Sequence, residues 1–215
     1  MLIRDYRKSD LNECAKLIKQ TWNLTDKCEN IFNDNQIYRL YVKECLLNCN
    51  YKKVVVCENK IIAVFFAKRI ASGFMYSFID NIICSLYLVQ NLLEILKGSY
   101  GKRYLALKAI MKQYILDRMG EKDVYDNTYT NEITLFIVGE KYQNHGIGKT
   151  LLSNYIFDNS ANTKFLLFVW TTSDCNYKFY EKHKFEIISK LDIRKLWESE
   201  KPYYLIKYKL KIDNL

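Results

Sequence analysis

The chain has 215 residues, 49% of them hydrophobic, with one proline and seven glycines. That is enough apolar material for a sizeable core, and no Pro/Gly/Ser-rich linker divides it, so disorder is excluded and one compact unit over 1–215 is expected. The formal charge is +9, but the lysines are scattered and form neither a basic stripe nor a nucleic-acid module, so a solvated basic surface is the plainer reading and no nucleic-acid partner is expected.

Leu2–Tyr6 reads as a first strand. Asp10, with Glu13 three residues on, has the spacing of a capping box, and Leu11, Cys14, Ala15 and Ile18 form a helical stripe behind it. A polar loop over 23–36 carries Asp26, Glu29 and Asp34. Tyr38, Tyr41, Val42, Cys45, Leu46 and Cys49 then recur at three and four, the period of a second amphipathic helix. Val54–Cys57 and Ile61–Phe66 flank the polar turn Glu58-Asn59-Lys60, which predicts an antiparallel hairpin.

The segment 71–130 is too long for a structureless loop inside a compact domain, so a helical insertion is expected. Ile82, Ile83, Leu86, Val89 and Leu93 suggest one helix; Tyr104, Leu105, Leu107, Ile110, Met111, Tyr114 and Ile115 suggest another. Packing over a sheet, walling a substrate pocket and a homodimer contact are all open to it. The most apolar stretch, Ile79–Leu96, is interrupted by Asp80, Asn81, Gln90, Asn91 and Glu94 and does not read as a membrane span.

Ile133–Val138 is an apolar, strand-like run. It enters a polar loop, Gln143-Asn144-His145-Gly146-Ile147-Gly148, after which Leu151, Leu152, Tyr155 and Ile156 share one helical face. Strand, glycine loop and helix N-terminus together suit a phosphate, because orphan N–H groups and the helix dipole converge there. Gly148-Lys149-Thr150 imitates the end of a nucleotide P-loop, but Gln143 stands where that motif needs its first glycine. An ordinary strand-to-helix turn stays open on this motif alone.

Lys164–Trp170 is a continuous apolar run, as in a strand covered on both faces. With the helix before it, the run completes a βαβ unit, so its strand should lie parallel to Ile133–Val138. Ser173-Asp-Cys-Asn176-Tyr-Lys-Phe179-Tyr180-Glu181-Lys182-His183-Lys184-Phe185 follows, then two more strand candidates, Phe185–Lys190 and Tyr203–Leu210. Ser173 and Asp174 are both candidate N-caps.

Gln143-x-x-Gly146-x-Gly148 resembles the acetyl-CoA pyrophosphate loop of the GNAT family of N-acetyltransferases, and Phe179-Tyr180-Glu181-Lys182-His183-Lys184-Phe185 resembles the family's second signature. Lys184 departs from it, standing where the family usually has glycine. The joint match covers about residues 131–190. It implies an α/β (α+β) fold, with a mixed central sheet of about six to seven strands flanked by helices. The insertion at about 71–130 would then lie between strands three and four.

The resemblance also implies roles. Acetyl-CoA would be co-substrate, with no metal, and a small-molecule or peptide amine would attack the thioester directly in a ternary complex. Its diphosphate would lie on Gln143, Asn144, His145, Gly146, Ile147, Gly148, Lys149 and Thr150. Ile137, Val138 and Gly139 would offer main-chain groups where strands four and five splay, and Asn176 would meet the pantetheine arm. Tyr180 would protonate the leaving thiolate, a phenol near pKa 10 serving a thiol near about 8.5. Glu132 has the spacing of the glutamate that relays the amine proton in the histone-acetylating branch; a plain acid at a strand start is the alternative. The loop acids Asp26, Glu29 and Asp34 could favour a cationic acceptor. Seven cysteines without a C-x-x-C pair and two histidines, His145 and His183, argue against zinc and fit reduced thiols. The charged start, Met1–Asp10, has no apolar signal core, so a cytoplasmic protein without membrane attachment is expected.

Overall fold

The computed structural model describes residues 1–22, 36–47, 49–70, 74–98, 107, 111, 115, 130–160, 165–197 and 200–212. In chain order the elements are β1 (Leu2–Asp5), α1 (Leu11–Thr21), α2 (Gln36–Cys45), β2 (Tyr51–Cys57), β3 (Lys60–Ile70) and α3 (Phe74–Leu96). After these come β4 (Thr130–Val138), α4 (Ile147–Ser160), β5 (Phe165–Thr172), α5 (Lys178–Lys182), β6 (Glu186–Asp192), α6 (Arg194–Trp197) and β7 (Tyr204–Ile212). Seven strands form one sheet in the order β1-β2-β3-β4-β5-β7-β6. Among the described strands only the β4–β5 pair is parallel. This is the mixed α/β arrangement that the resemblance implies, with its parallel pair where the βαβ pattern put it.

The β2–β3 hairpin turns on Glu58 (φ 49°) and Asn59 (φ 61°). Two successive left-handed residues are what a two-residue turn needs to match the twist of its strands. β3 then runs through the middle of the molecule, and Ile61 to Ala67 are all buried. Its alternation divides the core. Ala63, Phe65 and Ala67 face α4, where Ile147, Leu151, Leu152 and Tyr155 cover them. Val64 and Phe66 face α1 and α2, against Cys14, Ile18, Tyr38 and Val42. A strand covered on both faces has no solvent side, which is why the sequence there is continuously apolar.

The capping box expected from Asp10 and Glu13 is not formed. Glu13 instead accepts from Lys16 Nζ at 2.6 Å. The Asp10 carboxylate turns back, accepting from the Arg7 N–H (2.7 Å) and from both terminal nitrogens of Arg4 (2.7 and 2.9 Å). It thereby ties β1 to the start of α1, with a single 3-10 turn (Lys8–Asp10) between them. The expected second helix ends at Cys45, short of Cys49. The polar loop 23–35 lies outside the described residues, as does most of the second insertion helix. Of the latter, Leu107, Met111 and Ile115 are described and helical. Among the described residues, no helix is long and apolar enough to cross a membrane.

The Arg4 hydrogen bonds hold the Asp10 carboxyl below the usual carboxylate range, and the Arg7 N–H adds to the effect. A depressed folded-state value gives stability that is present above the unfolded pKa, near 3.9, and lost as the pH falls through the folded value. Asp10→Ala should therefore cost about 1–3 kcal/mol at pH 7. Urea denaturation should show the gap to wild type narrowing as the pH falls below the unfolded value and through the lower folded one; a gap that does not change with pH would contradict this.

Candidate functional site

β4 and β5 pair only through Thr130↔Leu166, Asn131↔Leu167, Glu132↔Phe168 and Ile133↔Val169. β4 continues to Val138 and β5 to Thr172, so beyond Ile133 and Val169 the two strands part. The cause lies on the other edge of β4. Phe66 pairs with Leu135 and Ala67 with Ile133, which leaves Thr134 as an extra, unpaired residue, a β-bulge. A bulge bends its strand and increases the local twist. The Thr134 hydroxyl fixes it by donating to the Cys45 carbonyl at the end of α2 (2.8 Å), with Cys49 Sγ at 3.1 Å. On their outer edges β4 pairs with β3, apart from Thr134, as far as Ala63↔Val138, and β5 pairs with β7 as far as Thr172↔Leu205.

The direction of the β4 amides follows from this ladder. The Gly139 N–H donates to the Ile62 carbonyl at 2.9 Å, toward β3. Alternation along an antiparallel pair turns Ile137 the same way and points the amides of Phe136 and Val138 into the gap. Of the three residues expected to line the splay, Val138 alone presents its main chain there. Ile137 and Gly139 are committed to β3. Phe136 is the residue that sequence reading missed; its signal was the two-residue period counted back from Val138.

Past Gly139 the chain makes one 3-10 turn (Glu140–Tyr142) and then the glycine loop. Asn144 (φ 63°) and Gly146 (φ 81°) are both left-handed. The Thr150 N–H is the first of α4 to find a helical acceptor, the Gly146 carbonyl at 2.9 Å. The N–H groups of Ile147, Gly148 and Lys149 therefore have no intrahelical acceptor and face the loop. A Cβ on Gly146 would meet nothing within 4 Å, so the backbone there is open to a bulky anion. Gly148 is closer packed. A Cβ there would lie 3.0 Å from Phe179 Cε2 and 3.4 Å from Phe136 Cζ, so its missing side chain makes room for two aromatic rings.

The loop's side chains mostly serve the loop. Gln143 Nε2 donates to the Val138 carbonyl (3.0 Å), closing the turn onto the end of β4. His145 Nδ1 lies 2.7 Å from the Gln143 carbonyl, and the Thr150 hydroxyl donates to the Gly146 carbonyl at 3.2 Å. Lys149 is exposed at the first turn of α4.

α5 and its exit explain the second signature physically. The Phe185 N–H donates to the Tyr180 carbonyl (3.1 Å) and the Lys184 N–H to the Glu181 carbonyl (3.2 Å). That bond pair is a Schellman motif, whose accompanying apolar contact is the Tyr180–Phe185 edge-to-face ring pair at 5.4 Å. The motif requires a left-handed residue at Lys184, whose φ is 64°. Tyr180 is thus a core residue, 7% exposed, packed among Phe179, Phe185 and Tyr208. Burial pushes its phenol well above the ordinary value, and the nearby Cys175 and Tyr208 push the same way. Neither N-cap candidate caps α5. Ser173 Oγ accepts from the Tyr204 N–H (3.1 Å), and Asp174 accepts from the Thr172 and Tyr203 hydroxyls. Asn176 is exposed, and its carbonyl accepts from the Phe179 N–H at 3.2 Å.

Glu132 lies at the closed end of the gap, one residue before the last paired position. It forms an ion pair with Lys68, its cross-strand partner, at 3.0 Å. Lys68 follows Phe66 by two on β3, so this pair sits on the α1/α2 face, whereas Tyr180 sits on the α4 face. The structure brings Val138, Gln143 and the loop together at the gap's mouth. It holds Glu132 and Tyr180 on opposite faces of the sheet.

Lys184 bears the backbone strain that a glycine would avoid, and its side chain is exposed. Lys184→Gly should stabilise the fold by roughly 0.5–1 kcal/mol, the left-handed penalty less the added chain entropy. A higher urea midpoint is the expected result, and a lower one would contradict the Schellman assignment.

No protein-family sequence model and no curated protein sequence matches the chain. Solved structures do match it along its whole length. One is a protein from Desulfovibrio desulfuricans assigned to the GNAT family, at 12% identity over 99% of both chains (TM-score 0.53). Another is an aminoglycoside 6'-N-acetyltransferase complexed with coenzyme A, at 12% identity over 100% of this chain and 99% of that one (TM-score 0.53). A third is NAA60 of Arabidopsis thaliana in complex with a bisubstrate analogue, at 12% identity over 100% and 99% (TM-score 0.51). The seven-stranded mixed sheet flanked by helices is the GNAT fold.

Proposed function

We propose that the chain is an N-acetyltransferase that transfers the acetyl group of acetyl-CoA to a primary amine by direct attack in a ternary complex. The observation that carries this reading is the parting of β4 and β5 next to an open helix N-terminus. Unpaired main-chain groups inside a sheet are costly unless something pairs with them. Phe136 and Val138 offer amides to an extended, amide-bearing arm, and Ile147, Gly148 and Lys149 offer N–H groups to its diphosphate. Gly146 leaves the approach open. Acetyl-CoA, when bound, supplies the activated acyl group.

The chain's own groups then position and stabilise. An amide on β4 aimed at the thioester oxygen would steady the developing negative charge at fixed geometry. Burial keeps the Tyr180 phenol protonated and makes it a weaker acid than a free phenol, so it would give up its proton only as negative charge builds on the leaving sulfur. Glu132, held by Lys68 at the closed end of the gap, would take up the amine proton through intervening water rather than by direct contact. The acceptor is a small-molecule or peptide amine. The acetyltransferase complexes among the neighbours support the cofactor class, since one was solved with coenzyme A.

A second reading has one observation in its favour. Tyr180 has a structural duty as the Schellman anchor, so its presence does not require catalysis. On that reading the chain binds acyl-CoA without turnover. Thiol release from acetyl-CoA across a panel of amines separates the two: turnover with any amine supports the enzyme, and none alongside saturable coenzyme A binding supports the binding module.

For the enzyme, Tyr180→Phe should lower turnover by about 10²-fold with coenzyme A affinity unchanged. Unchanged turnover would remove Tyr180 from the proton path. Gly146→Asp should abolish coenzyme A binding in calorimetry, because it sets a carboxylate against the diphosphate; normal affinity would contradict the proposed cradle.

A further inference from the structure

Among the described side chains of α3, the buried ones lie on one face. Asn91 and Ile95 are buried on that face, and the Tyr87 hydroxyl donates to the Leu40 carbonyl of α2 at 3.2 Å. Ile82, Leu86, Val89, Leu93 and Leu96 are exposed by 43%, 65%, 53%, 52% and 63%. Their spacing is four, three, four, three, and in the sequence the same alternation runs back through Ile79 and Met75. A helix seated on a sheet shows a broader apolar face. A strict alternation of three and four is the narrower seam of one helix on another.

We infer that this stripe is the contact between two copies of this chain, paired α3 to α3 about a twofold axis. Charge separates this occupant from the alternatives. From Phe74 to Leu96 the only charged residues are Asp80 and Glu94, with no lysine or arginine, although the chain as a whole carries +9. The first cation beyond the stripe, Lys97, is paired with Glu94 at 3.2 Å. A helix that rests on an anionic membrane flanks its apolar stripe with lysine and arginine, and α3 has none. An uncharged seam on a basic molecule suits a second identical seam, where like charges would not meet.

The size is also appropriate. The exposed parts of the five side chains amount to about 500 Å² of apolar surface, in the upper range for the largest patch on a soluble monomer. Together with its flanks, a stripe of this size approaches the roughly 800 Å² per partner of a stable interface. A twofold pair is self-complementary, so one stripe suffices for both partners. Leu107, Met111 and Ile115, four residues apart on one helical face and also exposed, add apolar surface within the same insertion. The inference does not depend on the proposed acetyl transfer.

Sedimentation equilibrium on the full chain, over a wide concentration range at about 0.15 M and 0.5 M salt, tests it. The expected mass rises from 25.7 kDa toward twice that value. Association should strengthen in the higher salt, because screening weakens the repulsion between two +9 molecules. Leu86→Glu combined with Leu93→Glu should weaken the dimer at least about 100-fold while leaving the thermal melt of the monomer in place. If that pair does not fold, Leu86→Gln with Leu93→Gln carries the same expectation. A wild type that stays monomeric throughout would overturn the inference, as would a dimer untouched by the substitutions. Co-sedimentation of a monomeric wild type with phosphatidylserine vesicles, lost in the double variant, would assign the stripe to lipid and overturn it too.

Discussion

The Thr134 hydroxyl on the Cys45 carbonyl is the bond on which the candidate site depends. It fixes one extra residue in β4 where the ladder to β5 stops, so the bulge and the parting share one origin. A sheet normally closes such a gap, because each unpaired N–H or carbonyl buried in it costs free energy comparable to a lost hydrogen bond. Here β3 and β7 pair the outer edges of the two strands alongside the opening, apart from the bulged Thr134. On β4, the N–H groups turned into the gap, those of Phe136 and Val138, are two residues apart on one edge, a spacing that an extended ligand backbone can match.

The glycine loop and α5 complete that edge in different ways. Gly146 keeps a left-handed turn open to an anion, whereas Gly148 is small so that Phe136 and Phe179 can lie over the start of α4. The same two rings link the loop to α5 through their edge-to-face contact at 5.2 Å. α5 is short and draws its rigidity from its exit, where the Tyr180 and Phe185 rings meet across the Schellman turn. Tyr180 is therefore held in place by the same feature that makes it part of the core. The buried Tyr180 phenol and the Lys68-paired Glu132 carboxylate lie on opposite faces of the sheet.

Much of this was legible in the residues. The hairpin was visible in Glu58-Asn59 between two β-rich runs, and the parallel pair followed from strand, loop and helix between Ile133 and Trp170. Seven strands and their order about β4 and β5 agree with the expected sheet. What escaped the sequence depended on partners distant in the chain. Asp10 was read with Glu13, its neighbour along the helix, but bonds Arg4 across the fold. Gly148 was expected to meet the diphosphate, but that its missing side chain also makes room for rings from β4 and α5 could not be read from the loop. Ile137 and Gly139 were placed at the gap because the side on which β3 pairs cannot be counted from β4 alone. Lys184 was noted as a departure from the family's usual glycine, and the backbone there is left-handed, the conformation that favours glycine.

Backbone amide resonances followed during titration with coenzyme A test the central claim most directly. The account predicts saturable changes concentrated at Phe136, Val138, Ile147, Gly148 and Lys149, with Ile137 and Gly139 little affected because their N–H groups already face β3. Saturable binding that leaves Phe136, Val138 and the start of α4 unmoved, or no binding at all, would contradict it.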